Sequence, residues 1–318
     1  MTTLVTGSAG FIGSHLIRFL HGIRHISPLY GFDWAIDEQS DSSALPGVEF
    51  LTGDIRDENA VGSLIQRLRP QRIYHLAAQS LPTLSWKEPV LTSQTNIIGT
   101  THLFEAILKY KLEPRIIVAC SSAEYGYTPE DRMPLTEEHP LKPLHPYGVS
   151  KVAQDLLAYQ YSVNFGVAAV RARIFNTTGS GKTGDVCSDF VRRIVQIEKG
   201  FSPPVLKVGN IDTRRDIMDV RDCARGLHLA LEMGESGEVY NVCGGRTYQI
   251  SELLASMLEL SAVKNIRVER EESLLRPSDE PIILGDNGKL RQQTGWQPEI
   301  PITQTIRDMF QYWRADKG

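Results

Sequence analysis

Six short apolar runs punctuate the first half of the chain, at residues 3–6, 26–32, 48–52, 72–77, 115–120 and 167–175. Each has strand length. Between them lie longer stretches such as "FIGSHLIRFL", "AVGSLIQRL" and "NIIGTTHLFEAILKY", whose apolar residues recur at three- and four-residue spacing and so predict helices. Repeated strand–helix units imply a parallel, doubly wound sheet covered by helices on both faces. After about residue 176 the rhythm breaks: "NTTGSGKTGD" is Gly-rich, "FSPPVLKVGN" is Pro-rich, and short strands mix with helices. The pattern predicts a large α/β domain over residues 1–175 and a smaller C-terminal α/β lobe over 176–318, with some of its strands and helices returning to the first domain.

Composition narrows this picture. The 318 residues, 41% hydrophobic and 23% charged, suffice for a large core. A formal net charge of -4 argues against nucleic acid or an anionic membrane as partner, so any phosphate site has to be built locally. Cys120, Cys187, Cys223 and Cys243 lie far apart with no CxxC spacing, which predicts reduced thiols, no disulfide framework and no metal site. The opening "MTTLVTG" has no basic or apolar leader pattern, and no run of eighteen apolar residues occurs, so the expected location is the cytoplasm.

Gly7, Gly10 and Gly13 sit three apart, directly between the first apolar run and the first helical pattern. A strand that hands over to a helix through such a turn lets the backbone approach a pyrophosphate while the helix N-terminus faces its charge, the arrangement of a Rossmann-like dinucleotide site. Asp33 follows Gly13 by twenty residues, at the expected end of the second strand. A carboxylate there accepts hydrogen bonds from an adenosine ribose and repels a 2′-phosphate, favouring NAD, with NADP as the alternative cofactor.

Tyr147 and Lys151 are four apart in a helical stretch, so both side chains share one face. A free phenol titrates near pH 10, and a nearby ammonium is expected to favour its ionised form and bring it toward the working range.

With these features stands a series of further motifs: "GDIRD" at 53–57, "YHLAAQS" at 74–80, "SSAEYG" at 121–126, "RIFNTTGSG" at 173–181, and then "RRDIMDVRD", "RPSDE" and "TGWQP". Over essentially its whole length the chain resembles the extended short-chain dehydrogenase/reductases that act on nucleotide sugars, the NAD-dependent epimerase/dehydratase family. The resemblance implies that Phe11 and Ile12 complete the glycine loop, that Asp54 and Ile55 flank the adenine, and that Leu76, Ala77 and Ala78 line the cofactor. Ser121 would complete a triad with Tyr147 and Lys151, the latter two also touching the cofactor. Ser80, Ser122, Asn176, Arg215 and Arg276 would hold the nucleotide-sugar substrate, a role the guanidinium fork suits because it pairs two oxygens at once. The amphipathic "NIIGTTHLFEAILKY" and "SKVAQDLLAYQY" would form a four-helix homodimer interface.

Within the resemblance, one position discriminates among reactions. The 4,6-dehydratases carry an acidic residue two positions after the triad Ser or Thr as the base that removes the C5 proton, and here that position is Ala123. Glu124, one further on, is expected to point to the opposite face of an extended segment. Overall wording is nearest the GDP-4-keto-6-deoxymannose reductases, with His145 where Ser is common. The expected activity is therefore reduction of the C4 keto group of a GDP-4-keto-6-deoxyhexose in carbohydrate biosynthesis. An NAD-retaining 4-epimerase is the alternative, favoured by Asp33. A non-catalytic binder is disfavoured because Ser121, Tyr147 and Lys151 are all present. His21 and His25 read as a solvated helix end and His145 as a loop residue.

Overall fold

The computed structural model describes residues 1–23, 26–36, 45–274 and 280–316. β1 (Thr3–Thr6), β2 (Leu29–Asp33), β3 (Val48–Thr52), β4 (Arg72–His75), β5 (Arg115–Ser121) and β6 (Ala168–Ile174) form within or overlapping the six apolar runs. The second run starts three residues late, because Pro28 has no N–H to give a ladder. Beyond them come β7 (Asn176–Thr178), β8 (Val205–Val208), β9 (Arg214–Asp219), β10 (Val239–Val242), β11 (Thr247–Gln249), β12 (Arg267–Arg270) and β13 (Ile282–Ile283). The main sheet has the order β3-β2-β1-β4-β5-β6-β10, with every neighbouring pair parallel.

Parallel neighbours require crossovers, and helices supply them. In chain order these are α1 (Phe11–His21), α2 (Glu58–Leu68), α3 (Pro82–Lys87), α4 (Pro89–Ser93), α5 (Gly99–Lys109) and α6 (Pro146–Phe165). After them come α7 (Val186–Glu198), α8 (Val220–Met233), α9 (Ile250–Leu260), α10 (Gly288–Thr294) and α11 (Ile302–Ala315). The stretch "NIIGTTHLFEAILKY" is less regular than its pattern predicts: a π-helical segment, Gln94–Ile98, precedes α5.

Two apolar layers sandwich the sheet. On one face Leu16, Ile17 and Leu20 of α1 meet Leu227 and Leu231 of α8. On the other, Ile65 of α2, Phe104 and Ile107 of α5 and Ala158 and Tyr161 of α6 pack together. Each fully buried aliphatic or aromatic side chain contributes roughly 1.5–3 kcal/mol, so these layers dominate stability. A separate cluster, including Phe190, Ile194, Leu254, Met257 and Met309, gives the second lobe its own core from α7, α9 and α11. Among the described residues no helix is long and apolar enough to cross a membrane.

The strand order reverses direction between β1 and β4, so the loops that follow these two strands diverge and leave a crevice at their carboxyl ends.

Candidate active site

The glycine turn lies at the head of that crevice. Gly7 has φ +73°, a left-handed conformation, and a Cβ there would stand 2.6 Å from the Ala77 amide nitrogen. A Cβ on Gly13 would stand 2.0 Å from the Gly7 carbonyl oxygen. Both positions therefore exclude side chains, and the loops after β1 and β4 touch backbone to backbone. Gly10, the N-cap of α1, has no side chain with which to cap the helix, so the first-turn N–H groups at Phe11 and Ile12 face a space suited to an anion.

Asp33 ends β2 beside this turn, its Oδ2 accepting from Ala9 N at 2.9 Å and its Oδ1 from Trp34 N at 2.8 Å. Burial pushes its carboxyl above the usual range, while these backbone donors pull it back. Asp54 follows β3 and pairs with Arg56 at 2.5 Å, which holds its carboxyl below the usual range. Ile55 is buried, and Leu76, Ala77 and Ala78 continue from the end of β4. A cradle that a Cβ would fill, an uncapped helix end and a carboxylate at the second strand's tip together fit a dinucleotide.

Ser121 ends β5, and Tyr147 and Lys151 begin α6. Pro146 opens that helix, and His145 caps it: its Nδ1 accepts from Gly148 N at 3.0 Å, and its ring stacks on Tyr147 at 5.8 Å between centroids. His145 is thus part of the helix start, where the sequence suggested a loop residue. The Ser121 hydroxyl is near enough to Tyr147 to pull the phenol's pKa down. Lys151 Nζ donates to the Ala119 carbonyl at 2.7 Å and lies 5.8 Å from the centre of the Tyr147 ring.

The expected lowering of the phenol by Lys151 is not what this site shows. Burial pushes Tyr147 up to about 12, with the Ser121 hydroxyl as the opposing influence, and burial brings Lys151 down to about 8. Desolvation dominates because both groups are almost wholly enclosed and the ammonium is spent on a backbone oxygen.

Glu124 also differs from expectation. Residues Ser122–Glu124 form a 3₁₀ turn, not an extended segment. The turn carries Glu124 inward, where it is fully buried and its Oε1 accepts from Ser121 N at 2.7 Å. Its Oε2 lies 3.2 Å from Arg173 Nε, which also reaches Asp155 Oδ2 at 2.9 Å. Arg171 takes the other Asp155 oxygen at 2.5 Å. Burial, with Asp155 adding repulsion, raises the Glu124 carboxyl well above its ordinary value. Cys120, Glu124 and Asp155 come close enough to suggest a metal cluster, but two guanidinium groups already meet these carboxylates. All four cysteines are free and buried.

Sequence reasoning missed this network and Asn96. Asp155 stands four residues after Lys151, so a run of Tyr, Lys and Asp at i, i+4 and i+8 was the available signal. Asn96, inside the π-helical segment, donates to Ser150 Oγ at 2.8 Å and to the Gln79 carbonyl at 3.0 Å, and accepts from Gln79 N at 2.7 Å. Nothing in its spacing marked it. π-helical turns often accompany functional sites, and this one ties the loop after β4 to α6.

In the second lobe, β7 pairs with β9, which brings Asn176 and Arg215 to neighbouring strands. Asn176 Nδ2 donates to the Asp216 carbonyl at 3.1 Å, and Arg215 Nη1 donates to the Glu280 carbonyl at 2.7 Å. The Asp216 carboxylate gathers Gly244 N, Gly245 N and Gly285 N at 2.7, 3.0 and 3.2 Å, fixing the lobe's strands behind Arg215. Ser80 is exposed and Ser122 half-buried. Arg276 and His25 lie outside the described residues. His21 bonds through Nε2 to the Pro46 carbonyl at 2.9 Å.

Residues 4–309 match the family model described as GDP-mannose 4,6 dehydratase. The chain is similar to a GDP-6-deoxy-D-mannose reductase of Pseudomonas aeruginosa, 31% identical over 98% of this chain and 96% of that protein. Among solved structures it resembles RMD from Pseudomonas aeruginosa complexed with NADPH, with a TM-score of 0.85, 29% identity and 99% of both chains covered. It resembles equally the UDP-glucose 4-epimerase of Thermus thermophilus in complex with NAD, with a TM-score of 0.87, 30% identity and 99% of both chains covered. The chain belongs to the GDP-mannose 4,6-dehydratase family and is an NAD(P)-dependent enzyme of the extended short-chain dehydrogenase/reductase type.

Proposed function

We propose that the protein reduces the C4 keto group of a GDP-4-keto-6-deoxyhexose. The observation that carries this reading is the asymmetry around Ser121: a protonated phenol on one side, and on the other Ala123 with Glu124 withdrawn into the Arg173 network. A dehydratase needs a second acid–base group within about 3 Å of the reacting atoms, and a methyl group cannot serve. Similarity to a reductase at 31% identity supports the same choice.

In this reading Gly7, Gly10, Phe11, Ile12 and Gly13 hold the cofactor's diphosphate, Asp33 its adenosine ribose, and Asp54, Ile55, Leu76, Ala77 and Ala78 its adenine and flanks. The cofactor, when bound, supplies the hydride. Ser121 Oγ donates to the substrate's keto oxygen and holds it beside the Tyr147 hydroxyl. Tyr147, which burial keeps protonated at neutral pH, then gives its proton to the alkoxide. Lys151, fixed by the Ala119 carbonyl, keeps a positive charge near the phenolate left behind. Asn176, Arg215 and Arg276 grip the sugar nucleotide, with Ser80 and Ser122 at the sugar end.

Asp33 favours a second reading, a 4-epimerase that retains NAD. Incubation of the enzyme with GDP-mannose, UDP-glucose and GDP-4-keto-6-deoxymannose, with and without NADH or NADPH, separates the two. Reduction at C4 only when reductant is added is the expected result, and GDP-mannose alone gives no 4-keto-6-deoxy product. Interconversion of C4 epimers without reductant would replace the first reading by the second, and a 4-keto-6-deoxy product would refute the Ala123 argument. In the same preparations NADH is expected to bind more tightly than NADPH; equal affinity would sink the assignment of Asp33 to the ribose.

A homodimer through α5 and α6 completes the proposal. On α6, Val149, Leu156 and Val163 recur every seven residues and are 53%, 51% and 62% exposed, an apolar stripe on the side of the helix away from Lys151. Leu156→Glu is expected to yield a monomer in light scattering; an unchanged mass for both proteins would exclude this face.

A further inference from the structure

We propose that Glu124 is a positioning residue for the catalytic set: it fixes the end of β5 that presents Ser121 and, through Arg173 and Asp155, ties that end to the helix that presents Tyr147 and Lys151. The tie to Ser121 is a reciprocal cap on the 3₁₀ turn. Glu124 Oε1 accepts from Ser121 N at 2.7 Å, and Ser121 Oγ accepts from Ala123 N at 3.2 Å. A hydroxyl has one proton and two lone pairs, so an Oγ that already accepts from a backbone amide keeps its O–H to donate to a substrate oxygen. Glu124 holds the turn that orients this rotor. Fully buried, it does not itself reach a substrate.

The tie to α6 runs through the neighbouring strand. Arg173 of β6 stands in register with Cys120 of β5, and its Nε lies 3.2 Å from Glu124 Oε2 and 2.9 Å from Asp155 Oδ2. Its Nη1 donates to the Tyr125 hydroxyl at 3.1 Å and to the Glu137 carbonyl at 3.0 Å, which leaves the guanidinium little freedom to turn. Asp155 follows Lys151 on α6 by one turn, and Lys151 Nζ returns to the Ala119 carbonyl of β5 at 2.7 Å. Strand end and helix start are therefore clamped at two successive levels. Stability alone does not call for a carboxyl at residue 124. Its full burial costs free energy that an apolar side chain of similar size would avoid, and Arg173 already has Asp155 as a partner. Glu124 Oε2 makes no directed hydrogen bond among the described residues, so the partner that the carboxyl serves is the Ser121 amide.

The proposal rests on the assignment of Ser121 and Tyr147 to the reaction, and it is tested by steady-state kinetics on whichever sugar nucleotide of the panel above the wild type turns over. Glu124→Leu offers Ser121 N no acceptor, and kcat is expected to fall about ten-fold with KM and NADH affinity within two-fold of wild type, because a displaced donor is felt in the transition state. Glu124→Gln is expected to restore most of kcat. Its amide oxygen can accept from Ser121 N, and burial has raised the carboxyl it replaces well above its ordinary value, so both side chains are neutral. In a Ser121→Ala background Glu124→Leu is expected to cost less than about two-fold more, since the residue acts through Ser121. Should Glu124→Leu not fold, Glu124→Asp, one methylene short of the Ser121 amide, carries the same expectations. Unchanged kcat in the Leu or Asp variant would overturn the positioning role, as would a Gln variant equally slow, or an undiminished loss in the Ser121→Ala background. Epimerisation without reduction by the wild type would remove the reductase reading alone, and the same variants would then be read on that activity. A wild type that turns over nothing in the panel has no catalytic set to position, and both readings fall.

Discussion

The two halves of the crevice are made of different material. The half proposed to hold the dinucleotide is backbone and absence: Gly7 and Gly13 admit no Cβ, and α1 starts with bare N–H groups. The half proposed to hold the nucleotide sugar is long side chains, Asn176 and Arg215, resting on carbonyls of their own lobe. A site made of backbone is fixed by the fold and is damaged by adding atoms. A site made of side chains must exchange internal partners for ligand and is damaged by removing them.

The largest expected effect lies at the seam of the halves. Tyr147→Phe keeps the ring and its stacking on His145 but deletes the proton, so kcat should fall by roughly 10² or more while NADH affinity holds. Full turnover by this variant on an identified substrate would break the catalytic assignment. Gly13→Ala tests the backbone half. Its methyl would meet the Gly7 carbonyl at 2.0 Å, and overpacking of this kind costs about 1–3 kcal/mol, so both thermal stability and dinucleotide binding should drop together. A variant that binds NADH normally would mean that the turn yields and that the backbone half is not rigid. Arg215→Ala sharpens the other half. A lost charge-assisted hydrogen bond is worth roughly 1.5–3 kcal/mol, so KM for the sugar nucleotide should rise on the order of ten-fold or more, with NADH affinity and melting temperature nearly unchanged. A fall in NADH affinity would show that the halves are not separable.

The same contrast explains what could be read from the chain. Strand positions and the glycine turn were legible because a parallel sheet demands buried apolar runs and a tight turn demands residues without Cβ. Ser121, Tyr147 and Lys151 were legible as a set through spacing and resemblance. The state of Tyr147 was not, since its titration depends on burial by residues distant in sequence, and the helical spacing to Lys151 says nothing of which acceptor the ammonium will choose. Glu124 was misplaced for a related reason. Alternation along a strand assumes the strand continues, whereas Ser121 ends β5 and the chain folds at once into a 3₁₀ turn whose capping box pulls the carboxylate inward. The Arg173 that receives it lies 49 positions on, beyond any local pattern.

β10 has a consequence for how such an enzyme can change over time. After β9 the chain leaves the second lobe, packs α8 against α1 and places Val239–Val242 as the outermost strand of the first sheet beside β6, and it then returns to build β11 and α9. Cutting the chain near residue 175 would strip β6 of its neighbour and leave the buried edge Arg171–Ile174 open to pairing with other chains. The lobes therefore cannot be traded as modules between relatives without tearing a sheet. On the proposed reading, new substrate preference has to be acquired in place, by substitutions in the strands and loops that carry Asn176 and Arg215, on a scaffold that the first domain keeps under its own control.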